Sequence, residues 1–213
     1  MSKLLRIGLA AICVGCGRPV LKLESQYRAD YCAPQAVDLA PVQWEPSALD
    51  AKDLTVPGWY GHYWGDTKQV DQLWEDYFRR SNVVDRVFMV FDEGSTQRSP
   101  ISVRLHVTKF RTQVNKGEAT ANSIVFGFVT WLAIFFPISH ELELETRLEV
   151  INSGPLFLES DTWSSGVQKR GYSLVNRAEL IGRDMSSLFE SAFRAHCQYL
   201  AVQLKDPRLA ADQ

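Results

Sequence analysis

The chain has 213 residues, 46% of them apolar and 23% charged, with a formal net charge of −2. That length suits one domain with a leader and a linker, and the composition supports a folded core and excludes wholesale disorder. Without residues 1–15, which carry Lys3 and Arg6, 21 basic side chains face 25 acidic ones. A mildly acidic chain without Lys/Arg clusters lacks the electrostatic footprint of a nucleic-acid binder.

Residues 1–15 read as an address. Lys3 and Arg6 form a basic start, residues 7–14 a short apolar run, and Gly15 a small residue directly before Cys16. The run is too short for the roughly 20 residues of a spanning helix and has the layout of a secretory signal. Cys13-Val-Gly-Cys16 resembles the lipobox of bacterial lipoproteins, with Cys13 standing where Leu is usual. The resemblance implies cleavage before Cys16, lipidation of that cysteine and attachment to a membrane. Gly17 follows the cysteine in place of the Asp that marks inner-membrane retention, so the resemblance implies an outer-membrane lipoprotein facing the periplasm. The same four residues also form a CxxC pair, but no second pair and no βαβ pattern accompanies them, and the surrounding apolar run is that of a signal. Cys32 and Cys197 are the other two cysteines. An oxidising periplasm permits a bridge between them, while Cys197 also falls on an apolar helical stripe and suits a plain core position.

In chain order, residues 16–35 are mixed polar with Pro19 and Pro34 and read as a lipidated tether. Val37 to Trp44 is a strand in which Val37 and Leu39 alternate with Asp38 and Ala40; Pro41 and Pro46 place it at a sheet edge or end it early. Residues 46–65 form a loop containing Gly58-Trp-Tyr-Gly-His-Tyr-Trp-Gly65. Asp66 with Gln69 makes a capping-box start. Val70, Leu73, Trp74, Tyr77 and Phe78 then form one apolar helical face, with Arg79 and Arg80 at the C-terminal end and Asn82 as the stop. A strand follows at Val83–Phe91, and Asp92-Glu-Gly94 is a turn.

Ile101–Arg111 alternates, with Ile101, Val103, Leu105 and Val107 on one side. His140–Ile151 does the same with Leu142, Leu144, Leu148 and Val150, and shows Glu141, Glu143, Glu145, Arg147 and Glu149 outward. If the two strands are neighbours, Arg104 and His106 face carboxylates. Asn152-Ser-Gly-Pro155 is a turn and Leu156–Trp163 a further strand. The last helix begins near Asn176, with Glu179 completing a second capping box, and carries the stripe Ile181, Met185, Leu188, Phe189, Phe193, Cys197 and Leu200.

Each helix has a single apolar face, so both must pack on a sheet. The expected fold is an α/β two-layer sandwich over residues 36–205, with a mostly antiparallel sheet of about five strands and both helices on one face. Residues 206–213 form a tail. Ala36-Val-Asp-Leu-Ala-Pro41, the helix ending at Ser81-Asn-Val-Val84, and Ile101–Phe110 give the chain a pattern that resembles the small α/β domain of the TolB amino-terminal and CsgG-like group of envelope proteins. Fold analogy alone does not license function.

The apolar run Ile124–Ile138 interrupts this domain. It carries no charge, and as a helix it spans about 22 Å, short of the ~30 Å hydrocarbon core. A single crossing would also put strands 101–111 and 140–151 on opposite sides of the membrane. It is expected either as a core segment, as a loop dipping into the bilayer, or as a docking surface for a partner. Contact in the latter two cases falls to Ile124, Phe126, Phe128, Trp131, Leu132, Phe135 and Phe136. In the aromatic loop, Trp59, Tyr60, Tyr63 and Trp64 either fold back against Trp74 or offer a contact surface, suited in this compartment to sugar rings.

The chemistry is sparse. His62, His106, His140 and His196 are far apart in sequence, and His140-Glu-Leu-Glu-Leu144 lacks the second histidine of a zinc HExxH helix. GxSxG, P-loop and GxGxxG motifs are absent, so no catalytic residue, metal or cofactor is assigned. The expectation is a non-enzymatic, lipid-anchored envelope protein that binds or helps assemble other envelope components. Its expected partners are the membrane and an envelope protein. The alternative is an auxiliary subunit of an envelope transport or secretion complex. A periplasmic hydrolase would require His106, His140 and Glu141 or Glu143 to converge in a pocket.

Overall fold

The computed structural model of the protein describes residues 20–46, 48, 67–90, 98–114, 137–152, 157–173 and 177–205. In chain order the elements are β1 (Ala33–Leu39), β2 (Gln43–Trp44), α1 (Thr67–Ser81), β3 (Val84–Met89), β4 (Ile101–Val114), β5 (Ile138–Asn152), β6 (Phe157–Ser164), β7 (Gln168–Tyr172) and α2 (Arg177–Gln203). All the strands join one sheet of order β3-β1-β4-β5-β6, with β2 beside β4 and β7 beside β5. The α/β class is as expected. The sheet is larger than expected, with seven strands among the described residues, and it is mixed: β1 runs parallel to both β3 and β4, whereas β5 runs antiparallel to β4, β6 and β7.

The expected strand 37–44 is divided. β1 starts earlier, at Ala33, and stops before Pro41; β2 resumes along the same side of β4, pairing Gln43 with His106 and Trp44 with Val107. Pro41 has no N–H to give a ladder, and the hydrogen bonds on either side of the break, Ala40 N–H to Val103 O and Glu45 N–H to Val107 O, hold the two pieces in line. β1 is therefore a central strand that ends early, not an edge. Asp38, assigned outward by alternation, is 1% exposed. It lies under the chain at 98–99, where its carboxylate accepts the Arg98 N–H at 2.8 Å and Ser99 Oγ–H donates to Ala36 O.

The β4–β5 ladder contains one bulge, between Val107 and Lys109. The extra residue shifts the alternation, so that Ile101, Val103, Leu105 and Val107 face inward before it and Phe110 and Thr112 after it, all of them buried. On β5, Leu142, Leu144, Leu148 and Val150 point inward and are buried. The outer side carries alternating charge: Lys109 reaches Glu143 at 2.7 Å, His106 reaches Glu149 at 3.2 Å, and Arg147 reaches Glu45 at 3.5 Å. The sequence showed no signal for β7. Gln168–Tyr172 is polar and lacks alternation because it is a short strand paired only with β5, continuing the line of β6 after a turn at Gly166 with φ +62°.

Both helices pack on the inner face. The α1 stripe buries Val70, Trp74, Tyr77 and Phe78, and the α2 stripe buries all seven residues from Ile181 to Leu200 assigned to it. The helices meet through aromatic rings, with Phe193 5.0 Å from Trp74 and 5.7 Å from Tyr77 between centroids. Asn82 ends α1 in the left-handed region, φ 55°, which Asn tolerates better than other side chains.

Residues 20–32 differ most from expectation. From Val20 onward the chain is not a free tether. It lies along both helices as a strap, with Leu21 and Ala29 buried and Leu23 and Tyr27 half-buried. Lys22 N–H donates to Ser186 Oγ, the Glu24 and Ser25 N–H groups to Glu190 Oε2, Tyr27 N–H to the Tyr77 hydroxyl and Ala29 N–H to Ser81 O. Gln69 donates to Leu21 O, and Arg194 donates to Ser25 Oγ. These partners advance from residue 69 to 81 on α1 and from 186 to 194 on α2, so the strap runs the length of the helical layer in the same direction as both helices. Leu21, Leu23, Tyr27 and Ala29, all at alternate positions, turn toward the helices, while the backbone N–H groups of the strap find partners on α1 and α2.

Candidate functional site

Cys16, the contact residues Ile124, Phe126, Phe128, Trp131, Leu132, Phe135 and Phe136, and the aromatics Trp59, Tyr60, Tyr63 and Trp64 lie outside the described residues. Only the last two positions of the apolar run are described: Pro137 is exposed and Ile138 opens β5. Cys32 and Cys197 are free thiols, so the bridge weighed from the sequence is not formed and the core assignment of Cys197 holds. Cys197 is fully buried on the α2 stripe, and burial pushes its thiol up to about 12, with a hydrogen bond to Ser81 opposing.

The described histidines sit in three separate places. His106 faces outward against Glu149. His140 faces inward, 1% exposed, its ring 5.1 Å from that of Tyr172. Because they occupy opposite faces of the sheet, the convergence of His106, His140 and Glu141 or Glu143 that a hydrolase would need does not occur. Among the described residues no group of three or more His, Cys, Asp and Glu side chains is placed to hold a metal.

Among the described residues, His196 makes the one arrangement with the outline of a catalytic relay. Its Nε2 is 2.9 Å from Thr146 Oγ1 and its Nδ1 3.0 Å from Asp161 Oδ2. β5 supplies Thr146, β6 supplies Asp161, and α2 lays the imidazole across both. The geometry matches a hydroxyl, base and orienting carboxylate, yet Thr146 and His196 are both 0% exposed and Thr146 sits mid-strand, where a substrate carbonyl has no approach. The trio instead satisfies polar atoms inside the helix–sheet interface. Burial holds His196 below the ordinary imidazole range, with Asp161 pulling it back upward. Alternation hinted at this trio only in part: Thr146 falls among the inward leucines, but its partners lie in two other elements.

The remaining polar cluster is at the opposite end of α2. Tyr172 O–H donates to Asp184 at 2.7 Å, and burial together with that carboxylate raises the phenol well above its usual range. Arg170 and Arg183 approach the same carboxylate at 4.0 and 3.8 Å, and Lys169 reaches Glu141 at 3.5 Å. Beside this cluster the strap crosses Gly182 so closely that a Cβ there would lie 2.7 Å from Val20 O. An open groove of ≈ 840 Å³ runs between strap and helix, lined by Val20, Lys22, Glu24, Arg183, Ser187 and Glu190. Its charges are of both signs.

The described residues thus form a two-layer α/β sandwich whose helical layer is crossed by the strap. No protein-family model and no curated protein sequence matches the chain. Among solved structures it is similar to a Xanthomonas campestris protein of the DUF330 family, at 10% identity and TM-score 0.53, over 93% of this chain and 100% of that one. A neuraminyllactose-binding hemagglutinin homolog from Helicobacter pylori matches at 8% identity and TM-score 0.44, over 91% and 95% of the two chains. A hypothetical protein from Chlamydia trachomatis matches at 10% identity and TM-score 0.42, over 80% and 98%. At such identities the Xanthomonas likeness is one of fold.

Proposed function

We propose that this chain is a lipid-anchored cell-envelope protein, attached through Cys16 at the outer membrane, that binds or helps assemble other envelope components without catalysing a reaction. The observation that carries this reading is the strap. A signal-like segment and Cys16 stand directly before a stretch that is hydrogen-bonded along two helices, so an acylated Cys16 would be joined to the folded domain by residues 17–19 alone. Several acyl chains on Cys16 would anchor it stably, since each buried methylene contributes about 0.8 kcal/mol. Segment 124–136 supplies the contact surface in this reading.

Intact mass and fractionation of the protein from its native envelope, beside a Cys16→Ala variant, test it. The expected result is a chain beginning at Cys16 with added acyl mass in the membrane fraction, and loss of both in the variant. A wild-type chain that keeps residues 1–15, or is cut without acylation, refutes the anchor.

A further inference from the structure

We infer that one end of the molecule, formed by the start of the strap, the first turns of α2 and strand β7, is the face that rests on the bilayer, and that Lys169, Arg170 and Arg183 meet anionic phospholipid headgroups there. The inference rests on the lipid-anchor reading and adds an orientation and a lipid chemistry to it.

Contacts between described residues bring the ends of three sequence-distant segments together. Val20, the first described residue, lies against Gly182 on α2. Two residues further along α2, Asp184 holds the Tyr172 hydroxyl. Tyr172 pairs with Ile138, and His140 pairs with Val114. Val114 and Pro137 bound the stretch that contains the charge-free run beginning at Ile124. On the strap's other side Leu21 meets Gln69 in the first turn of α1, where the chain returns from the Trp59–Trp64 region. The path from Cys16, the two ends of the apolar stretch and the end of the aromatic loop therefore open on the same pole, although as many as 94 positions separate Val20 from Val114. Four peptide steps let Val20 lie at most about 14 Å from an acylated Cys16, so this pole stays near the membrane surface and its side chains set how closely it rests there. The other pole, at Asp30, Ser81 and Leu204, lies a helix length away; α2 has 27 residues, about 40 Å.

Charge supports the same face. In the ion pairs of this pole the cations reach outward and the anions stay in: Lys169, Arg170 and Arg183 are 74%, 56% and 65% exposed, while Glu141 and Asp184 are 32% and 23%. Val20, at 58% exposed, is the apolar residue nearest the anchor. Exposed Glu24 and Glu179 share this pole, but at the β7 side an approaching surface would meet ammonium and guanidinium groups, each favouring an anionic headgroup by roughly five-fold at ordinary ionic strength.

The test uses the full processed protein, purified with its acyl chains and placed in vesicles carrying an acceptor dye on the headgroups. In a Cys32→Ser background a donor dye is attached at Glu179→Cys on the first turn of α2, or at Asp30→Cys on the far pole. The expected result is strong energy transfer from position 179 and several-fold weaker transfer from position 30. Equal or reversed transfer overturns the orientation while leaving the anchor intact. In phosphatidylglycerol vesicles, Lys169→Gln with Arg170→Gln and Arg183→Gln is expected to weaken transfer from 179, with no change in phosphatidylcholine. An unchanged signal in both removes the cations from the proposal. Purified chain without acyl mass refutes the anchor and the orientation with it.

Discussion

At the scale of single residues, the interior is sensitive at polar atoms more than its apolar pattern suggests. Thr146→Val would leave His196 Nε2 without its partner in a site closed to water, and is expected to cost about 1–3 kcal/mol, read as a drop in urea midpoint. His196 also gives the fold a pH dependence. Burial holds its pKa below the unfolded value, so the folded chain keeps the ring neutral where the unfolded chain takes up a proton. That contribution is complete above about pH 6.5 and is lost as pH falls from there toward the depressed folded value. Unfolding midpoints measured between pH 7.5 and 5 should therefore fall more steeply for the wild type than for His196→Gln; parallel slopes would remove His196 as the cause. Cys197, buried with its thiol pushed up to about 12, should react with maleimide only when the chain unfolds.

At the scale of elements, the strap changes what α2 must be. Gly182 is a poor helix residue, and Ala in its place would ordinarily gain about 1 kcal/mol. Here the added Cβ meets backbone at 2.7 Å, and backbone cannot swing aside, so Gly182→Ala should cost a net 1–3 kcal/mol, the usual order for overpacking. Faster trypsin cleavage at Lys22 and Arg28 in that variant would locate the damage in the strap; unchanged cleavage would mean the strap is not held there. Phe193→Ala removes the ring shared by Trp74, Tyr77 and Phe189 and should cost about 3–5 kcal/mol by calorimetry or denaturant. The helices themselves were legible in the sequence because a 3.6-residue stripe records which face is buried. The strap was legible only in part: Leu21, Leu23, Tyr27 and Ala29 recur at alternate positions, but backbone bonds to Ser186, Glu190 and Tyr77 leave no mark of which elements receive them.

For the whole molecule, the start of the strap, the first turn of α1 and the facing ends of β4 and β5 lie at one pole, and β4 with β5 forms the longest ladder of the sheet. The two strands share 13 paired positions outside segment 124–136, so replacing that segment with a short Gly/Ser turn should leave cooperative unfolding and the Cys16 anchor intact and abolish binding to the envelope partner. Loss of folding instead would assign the segment to the core. Five strands were expected where seven occur among the described residues because Pro41 splits one strand into two and β7 is a polar edge strand without alternation.

The sequence alone determined the class of fold, the inward residues of β4, β5, α1 and α2, and the expectation of a membrane address at Cys16, because burial on a regular element repeats with that element's own period. Tertiary structure decided the rest. It set the parallel placement of β1, closed the Thr146–His196–Asp161 trio, left Cys32 and Cys197 as free thiols, turned a supposed tether into a strap, and put the start of that strap at the same pole as the facing ends of β4 and β5. Each of these depends on which elements become neighbours, and neighbourhood across the sheet or between layers is a non-local relation that no residue spacing encodes.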